Sequence, residues 1–415
     1  MIFPMDFKNL FAERIGGRSF GFAKAYKMEK IKQSKRRAME HFPERRFLDM
    51  GIGEPDEMAD QSVLDALHKA AQKRENRVYA DNGGSLLKET VAKYMHTLYD
   101  VDLDSQREIV HCIGAKSALS YLPACFINPG DMVGITQPGY PILGQHVRFL
   151  GGEIFEIPLL AKNHYLPDLD SIPNDVAKKM KLLALNYPHN PTGAVATVSF
   201  FRKAVEWAFQ NEVILVNDAA YAALVHDDLK PLSLLSIQGA KEVAIEIHSM
   251  SKAFNMTGWR LGWVCGQEEI IKAFSFVKDY SDSGQFLAIQ EAACTALSQP
   301  EITRRTAQKY ARRWKNIASV LGEKGIIVSP AKAGFFLYTS APKWVRSRHE
   351  ESLSFSSAEV CALWLLEALG IVCVPWDETE PALRFSMTFD ATSAAEETAF
   401  YEELKQRLAP YQFGF

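Results

Sequence analysis

The sequence predicts an α/β protein with a mainly parallel sheet, followed by a smaller α+β part. Short apolar runs alternate with helical stretches between residues 108 and 299, which is typical of parallel strands joined by helices. Beyond Gln299 the pattern changes to a long charged helix and short strands. We therefore expect a large domain of residues 50–299 and a small domain formed by residues 1–49 and 300–415, with the amino-terminal arm in the small domain.

Five short apolar runs predict buried strands, because strands covered by helices on both faces are apolar throughout. The runs are residues 108–113, 132–136, 181–186, 213–217 and 243–247. Helices are predicted between them at residues 116–126 and 199–210. In the second part, a helix is predicted at residues 300–321, strands near 334–338 and 371–374, and a closing amphipathic helix at 393–408.

Composition favours a small-molecule ligand over nucleic acid or a membrane. The 47 basic and 50 acidic residues give a net charge of -3, so no basic face for nucleic acid is indicated. No run reaches the ~18 apolar residues of a membrane span, and Asp6 and Glu13 interrupt the amino terminus where a signal peptide would be apolar. The six cysteines show no CxxC spacing, which argues against a zinc or redox motif. We expect a cytoplasmic protein that binds no metal.

Lys252 stands in an unusual setting at the end of a predicted strand. It follows two serines in Ser249-Met-Ser-Lys252, and Arg260 comes eight residues later. A lysine amine has a pKa of ~10.4, so its use as a nucleophile requires burial or nearby cations. The hydroxyls of Ser249 and Ser251, with Arg260, suit a phosphate dianion. An imine-forming lysine beside a phosphate site indicates pyridoxal phosphate; the alternative is a surface loop with a solvated lysine.

The same cofactor makes further demands that other motifs meet. Its pyridine nitrogen needs a carboxylate, and Asp218 ends a predicted strand, although a helix N-cap is an alternative role. Tyr221 and the amide of Asn190, in an Asn-Pro-Thr-Gly turn, are candidate donors to the phenolic oxygen. Residues 114–117 offer a helix N-terminus for the phosphate, and Tyr140 an aromatic face for the ring. Each motif taken alone is also typical of an ordinary turn or loop.

In the order of these motifs, the chain resembles the class I and II aminotransferases of the fold-type I, aspartate aminotransferase-like group. The resemblance covers nearly the whole chain. The resemblance implies their pyridoxal-phosphate-dependent transferase fold, with a mainly parallel seven-stranded sheet in the large domain. It implies that Lys252 forms the Schiff base and moves the proton at the substrate Cα, and that Asp218 pairs with the pyridine nitrogen. It also implies that Asn190 and Tyr221 bind the phenolic oxygen. The implied phosphate ligands are Ala115, Lys116, Ser249, Ser251 and Arg260.

Two further positions follow from the resemblance. Tyr79 matches the tyrosine that reaches the phosphate from the neighbouring subunit, which implies a homodimer with shared active sites. Arg384, in Leu-Arg-Phe-Ser-Met, matches the arginine that binds the substrate α-carboxylate. A planar guanidinium suits a carboxylate better than an ammonium does, although a solvated arginine at a strand edge is the alternative. The implied substrates are amino acids and 2-oxo acids.

Longer stretches resemble the LL-diaminopimelate aminotransferases more than the aspartate or aromatic enzymes. The stretches are residues 51–58, 79–83, 128–131 and 166–173. The resemblance implies that glutamate and tetrahydrodipicolinate are interconverted with 2-oxoglutarate and LL-diaminopimelate, a step toward lysine and peptidoglycan. The implied substrate-binding residues are Tyr26, Gly53, Lys116, Tyr140, Asn190, Ser283 and Arg384. Ser283 stands in a loop where the diaminopimelate enzymes often have an asparagine.

Other functions on the same fold stay open at this point. An aspartate or aromatic amino acid aminotransferase would keep every cofactor residue and differ only around the distal end of the substrate. β-Lyases and decarboxylases of this fold differ in which Cα bond stands perpendicular to the ring, which a sequence does not show. A non-catalytic cofactor-binding regulator is disfavoured, because the chain has both Lys252 and Arg384.

Overall fold

A seven-stranded sheet forms the centre of the fold in the computed structural model, which describes residues 7–20, 27–227, 229–328, 330–347 and 352–415. The described residues contain fifteen strands, of which seven form this sheet. They are β1 (Leu48–Asp49), β2 (Ile109–Cys112), β3 (Met132–Gln137), β4 (Glu153–Pro158), β5 (Met180–Leu185), β6 (Ile214–Asp218), β7 (Ala244–Ser249), β8 (Gly262–Gly266), β9 (Phe336–Ser340), β10 (Trp344–Ser347), β11 (Leu353–Ser354), β12 (Ile371–Val372), β13 (Val374–Trp376), β14 (Ala382–Ser386) and β15 (Tyr411–Gly414).

Helices separate most of these strands along the chain. They are α1 (Lys27–His41), α2 (Gln61–Ala71), α3 (Ser85–Tyr99), α4 (Gly114–Phe126), α5 (Ile142–Phe149), α6 (Asn174–Ala177), α7 (Val198–Asn211), α8 (Ala240–Val243), α9 (Met250–Ala253), α10 (Glu268–Asp279), α11 (Leu287–Leu297), α12 (Pro300–Gly322), α13 (Ala358–Leu369) and α14 (Ala394–Leu408).

The large sheet has the strand order β2-β8-β7-β6-β5-β3-β4. All neighbouring pairs are parallel except those made by β8, which runs antiparallel to both β2 and β7. Because β8 lies between β2 and β7, those two strands point the same way. The carboxyl ends of β2, β3, β5, β6 and β7 therefore meet at one edge, where open α/β sheets bind their ligands.

Both faces of the large sheet are buried, since neighbouring residues of one strand pack into different clusters. Leu215 lies in the core with α7, whereas Val216 lies in the core with α4, α5 and α10. Leu183 and Leu182 divide in the same way. Burial on both faces explains why the five predicted strands read as continuous apolar runs.

Three smaller sheets come mostly from the second half of the chain. They have the orders β13-β14-β9, β11-β10-β15 and β1-β12. The last pair joins Leu48 and Asp49 to Ile371 and Val372, so a segment before residue 50 is hydrogen-bonded to one after residue 370. This pairing agrees with a small domain built from both ends of the chain, although the domain boundaries stay a prediction.

The structure confirms the α/β fold class, with a mainly parallel sheet of seven strands. The predicted strands lie within two residues of their observed bounds, and the predicted helix at 300–321 is α12. Seven of the strands in the described residues were not predicted, namely β1, β4, β8, β10, β11, β14 and β15. The predicted strand at 371–374 is divided into β12 and β13 by Cys373.

Candidate active site

Polar side chains cluster where the central strands of the large sheet end. Asp218 is the last residue of β6, and Ser249 is the last residue of β7. The short helix α9 follows β7 at once and carries Ser251 and Lys252. Asn190 lies five residues after the end of β5, the strand on the other side of β6. The topology therefore brings these predicted residues to one edge of the sheet.

Lys252 is partly buried at this edge and contacts the loop after β1. Its Nζ donates to the carbonyl oxygen of Gly53 at 2.9 Å. Burial lowers the pKa of Lys252 to about 8, and the cations Arg260 and Arg384 act in the same direction against the carboxylate of Glu54. At neutral pH the amine is thus much closer to its neutral, nucleophilic form than an exposed lysine is.

Asp218 is a buried carboxylate whose side chain is only 8% exposed. Its Oδ1 accepts a hydrogen bond from the backbone N–H of Ala220 at 3.2 Å. Burial raises the pKa of Asp218 to about 6, while that hydrogen bond and the electrostatic interactions with His248 and Lys252 oppose the rise. A buried carboxylate of this kind is stabilised by a positively charged partner, such as a protonated ring nitrogen.

Arg384 lies on β14, in the sheet β13-β14-β9, and its buried side chain reaches the same edge. Its Nη1 donates to Oδ1 of Asn190 at 3.1 Å, and its Nη2 donates to the carbonyl oxygen of Gly51 at 2.9 Å. The guanidinium carbon lies 4.1 Å from the centre of the Phe336 ring. These contacts fix a planar cation that is suited to binding a carboxylate through two parallel hydrogen bonds.

Tyr221 packs between the same elements. Its ring meets Phe335 and Phe336 edge to face, with centroid distances of 5.3 and 5.7 Å. Burial raises the pKa of Tyr221 well above its usual value, and the cation Arg384 opposes the rise. The hydroxyl therefore stays protonated at neutral pH and is available as a hydrogen-bond donor.

Arg260 and two serines form a cradle beside the N-terminus of α4. Nη1 of Arg260 donates to Ser251 Oγ at 3.3 Å and to the carbonyl oxygen of Thr257 at 2.7 Å, and Ser249 Oγ accepts from the N–H of Ser251 at 3.1 Å. Gly114, the first residue of α4, has φ +75°, and a Cβ there would lie 2.4 Å from Nη2 of Arg260. The guanidinium thus lies directly against the helix N-terminus, and the two together favour a phosphate.

The chemistry of this donor set fits pyridoxal phosphate. Two hydroxyls, a guanidinium and the helix N-terminus lie on one side, where the phosphate would be held. An amine with a lowered pKa, a buried carboxylate and a neutral phenol lie at the ends of the adjacent strands. The residues of the described chain therefore offer a partner for each polar group of the cofactor.

Several predicted residues lie outside this cluster of contacts. Tyr79 is 81% exposed, and Ser283 and Lys116 are exposed as well. No hydrogen bond or ion pair joins Tyr79 or Ser283 to the cluster within the described part of the chain. Tyr140 is partly buried and packs against the core that contains α4 and α5. Tyr26 lies outside the described residues.

Sequence reasoning missed the residues that support the cluster from behind. His189 bonds Thr192 Oγ1 through Nδ1 at 2.7 Å and the carbonyl oxygen of Pro138 through Nε2 at 3.0 Å, so it joins the Asn190 turn to the loop of Tyr140. Phe335 and Phe336 were predicted only as strand residues. The fully buried Glu246 was not noticed either, and the signal for it was a charge inside an apolar strand.

Glu246 is the centre of a buried hydrogen-bond network under the strand that ends in Asp218. Its carboxylate accepts from the side chains of Asn217, Ser233 and His248, and from the backbone N–H of Leu234. The ring of His248 stacks on Trp263 at 5.0 Å between centroids, with an interplanar angle of 6°. The network holds β6 and β7 together just below their functional ends.

Comparisons with known proteins agree with this geometry. A family model described as aminotransferase class I and II matches residues 45–398. The chain belongs to the class I and II aminotransferases. It is 49% identical to the LL-diaminopimelate aminotransferase of Methanocaldococcus jannaschii, covering 98% of this chain and 99% of that one. It is 46% identical to the LL-diaminopimelate aminotransferase of Methanococcus maripaludis, again over 98% and 99% of the two chains.

Solved structures of this family have the same fold. Substrate-bound BacF from Bacillus subtilis matches with a TM-score of 0.87 and 29% identity, over 98% of this chain and 99% of that chain. The aspartate aminotransferase-like fold predicted from the motifs is thereby confirmed. As a class I and II aminotransferase, the chain uses pyridoxal phosphate and acts on amino acids and 2-oxo acids. Among the described residues, no helix has the length and apolar character needed to cross a membrane.

Proposed function

We propose that this aminotransferase interconverts tetrahydrodipicolinate and glutamate with LL-diaminopimelate and 2-oxoglutarate. The observation that carries the proposal is 49% identity with an enzyme named for LL-diaminopimelate, along 98% of this chain. The match extends over nearly the whole of both chains, so it spans the segments around the substrate as well as those around the cofactor. An aspartate or aromatic aminotransferase would keep the same cofactor residues and differ only around the distal end of the substrate.

Pyridoxal phosphate, when bound, supplies an aldehyde that takes up the amino group and a ring that accepts electrons released at the substrate Cα. Lys252 is proposed to bond to the aldehyde carbon of the cofactor and to move the proton at the substrate Cα. Its pKa of about 8 lets one amine both accept and return a proton near neutral pH, which is the requirement for a general acid and base.

The groups around Lys252 take the remaining parts of the cofactor. Asp218 holds a proton on the pyridine nitrogen, and its burial strengthens that interaction. Tyr221 and Asn190 bind the phenolic oxygen, and Tyr140 stacks on the ring. The proposed phosphate ligands are Ala115, Lys116, Ser249, Ser251 and Arg260.

Arg384 binds the α-carboxylate of the substrate in this proposal. Asn190 and Phe336 hold its guanidinium at the edge of the sheet that also carries Lys252. The distal end of the substrate carries a second amino acid head group, so the pocket there needs polar contacts. The residues proposed around the substrate, beside those that also bind the cofactor, are Tyr26, Gly53 and Ser283.

The active enzyme is proposed to be a homodimer with shared sites. Tyr79 and Tyr280 are 81% and 83% exposed. Large apolar side chains grouped on a surface favour association with another chain. Tyr79 and Tyr280 lie on segments that are joined by a hydrogen bond from Asn82 Nδ2 to Asp279 Oδ1 at 2.7 Å, so they belong to one face. Tyr79 is proposed to bind the phosphate in the partner subunit.

The cytoplasm is proposed as the compartment, and residues 50–299 as the large domain. All six cysteines are free thiols, which fits a reducing compartment. The large sheet lies wholly within residues 109–266, and the smaller sheets lie outside them, which supports the proposed boundaries.

Single amino acids offered to the cofactor-loaded enzyme test the substrate. Each amino donor is mixed separately with the enzyme, and conversion of the bound cofactor from its aldehyde to its amine form is followed by absorbance. We expect rapid conversion by LL-diaminopimelate and glutamate and little by aspartate or phenylalanine; meso-diaminopimelate is measured alongside them. Fast conversion by aspartate or phenylalanine, with none by diaminopimelate, would refute the proposed substrate but not the aminotransferase activity. The Lys252→Ala variant, given the same donors, is the control for uncatalysed exchange.

A further inference from the structure

Residues 278–285, at the end of α10 and in the turn after it, contact two separate loops, and we name them the anchor segment. One loop is residues 79–83, here the tyrosine loop, which begins with the exposed Tyr79. The other is the backbone at Trp259 and Arg260, beside the phosphate cradle. The inference below rests on the proposed function, in which Tyr79 binds the phosphate in the partner subunit.

Lys278 is the buried centre of the anchor segment. Its side chain is 0% exposed, which is rare for lysine. Nζ donates to the carbonyl oxygen of Asp81 at 2.5 Å and to Oδ1 of Asp282 at 2.6 Å. Oδ1 of Asp282 also accepts from the N–H of Gly284 at 2.8 Å, so the ion pair closes the turn of the anchor segment and binds the tyrosine loop at once.

Close backbone packing joins the same two segments. Gly284 has φ +83°, and a Cβ there would lie 2.5 Å from the backbone nitrogen of Asp81. Asn82 Nδ2 donates to Oδ1 of Asp279, and the carbonyl oxygen of Asn82 accepts from the N–H of His111 on β2. The tyrosine loop is therefore held to the anchor segment by a charged contact, an amide contact and direct backbone packing.

The other end of the anchor segment holds the backbone beside the phosphate cradle. Nε2 of Gln285 donates to the carbonyl oxygens of Trp259 and Arg260, the latter at 2.6 Å. Arg260 has φ +57°, a left-handed conformation that is uncommon for a residue with a side chain and that needs support from its surroundings. One short segment thus supports both the cradle of its own subunit and the loop that carries Tyr79.

We propose that Lys278 is a positioning residue for phosphate binding across the subunit interface. Its ion pair with Asp282 and its bond to Asp81 fix the tyrosine loop, so that Tyr79 is presented to the phosphate held in the partner subunit. Lys278 does not touch the cofactor; it acts through Tyr79. Loss of its ammonium removes a charge-assisted hydrogen bond from the loop, and such bonds contribute about 1.5–3 kcal/mol, or about 10- to 150-fold in a binding constant.

Cofactor titration of the Lys278→Met variant tests this proposal. Full-length protein freed of cofactor is titrated with pyridoxal 5′-phosphate, and the dissociation constant is read from tryptophan fluorescence. We expect the constant to rise about tenfold or more. Lys88→Met is the matched control, because Lys88 is a partly buried neighbour that, among the described residues, makes no hydrogen bond or ion pair to the tyrosine loop. It should change the constant less than about twofold. An unchanged constant for Lys278→Met overturns the proposal.

Two further readouts separate positioning from a general structural effect. Pyridoxal, which lacks the phosphate, should bind Lys278→Met and the unaltered protein equally well; equal losses for pyridoxal and its phosphate would overturn the proposal. In the Tyr79→Phe background, Lys278→Met should weaken binding of the phosphate form much less than it does alone. The two substitutions could instead raise the dissociation constant independently, so that the double variant shows the product of the two fold-changes. That result would show that Lys278 does not act through Tyr79.

The failure of the proposed role of Tyr79 has a different signature. Tyr79→Phe would then leave the dissociation constant of pyridoxal 5′-phosphate unchanged, whatever Lys278→Met does. Should Lys278→Met fail to fold, Asp282→Asn is the second variant, since it keeps the shape of the side chain and removes its charge. It is expected to show the same selective loss for the phosphate form, and an unchanged constant would overturn the proposal.

Discussion

Substitution of Gly114 by alanine is expected to weaken cofactor binding by displacing Arg260. Gly114 has φ +75°, and its added Cβ would lie 2.4 Å from Nη2 and 2.9 Å from Cζ of Arg260. No Cβ tolerates a contact that short, so one partner must move. The guanidinium is the end of a flexible side chain and moves more easily than the start of α4. We therefore expect the helix to stay in place and Arg260 to leave the cradle.

The two costs of the substitution fall on different measurements. A residue with a side chain in the left-handed region costs about 1–2 kcal/mol, which lowers the free energy of unfolding. Loss of a hydrogen bond from a guanidinium to a phosphate costs about 1.5–3 kcal/mol, which lowers only the affinity for the cofactor. The dissociation constant of pyridoxal phosphate should therefore rise about 10- to 150-fold.

Gly130→Ala is the matched control, since it carries the first cost without the second. Gly130 has φ +87°, and nothing lies within 4 Å of the Cβ that alanine would add. Both variants should lose similar stability in thermal unfolding of the cofactor-free protein, and only Gly114→Ala should lose affinity in a fluorescence titration. Equal affinities for the two variants would refute the assignment of Arg260 to the phosphate.

Four other expectations follow from the same contacts. Lys252→Ala should abolish activity and the visible absorbance of the bound cofactor, and a spectrum like that of the unaltered enzyme would contradict its role. Arg384→Lys should raise KM for amino acids about tenfold or more with little change in cofactor affinity, because an ammonium makes no paired hydrogen bonds to a carboxylate; steady-state kinetics measure this. Glu246→Leu should lower the free energy of unfolding by about 3 kcal/mol or more in urea, since several buried donors lose their acceptor. Burial lowers the pKa of His111 and of His189 to about 3. The unfolded chain takes up these protons first, near pH ~6.5, so stability is full above that pH and falls by about 1.2 kcal/mol per imidazole between about pH 7 and 5.5. Denaturant titrations at the two pH values measure this loss, and replacing both histidines with glutamine should reduce the measured loss by about 2.4 kcal/mol.

The central strands could be predicted from the sequence because burial on both faces leaves a clear local pattern. The strands that were missed lack that pattern. β4 (Glu153–Pro158) is an edge strand with two glutamates and a terminal proline, which suits an edge and not the centre of a sheet. β8 (Gly262–Gly266) begins and ends with glycine, which disfavours a strand locally. Its place between β2 and β7 is determined by tertiary packing.

Residues for the cofactor side of the site could be proposed from sequence, because they stand at or near strand ends in short motifs. Asp218 ends β6, and Ser251 and Lys252 come just after β7, so their meeting at one sheet edge follows from the strand order. The supporting residues have no such local signal. Glu246 contacts Leu234, which is 12 residues away in the chain, and His189 contacts Pro138, which is 51 residues away. Only the folded structure identifies these partners.

The anchor segment gives a physical reason why the distal part of the substrate site is hardest to predict. It carries Ser283, the residue proposed for the distal head group, and through Lys278 it also fixes the loop of Tyr79. Among the described residues, no hydrogen bond joins the side chain of Tyr79 or of Ser283 to the cluster of its own subunit. In the proposed homodimer, one short segment thus carries a residue proposed for substrate choice and fixes the loop proposed to bind the partner's phosphate. A motif read along a single chain contains the chemistry of Lys252, but not the distances that an interface sets.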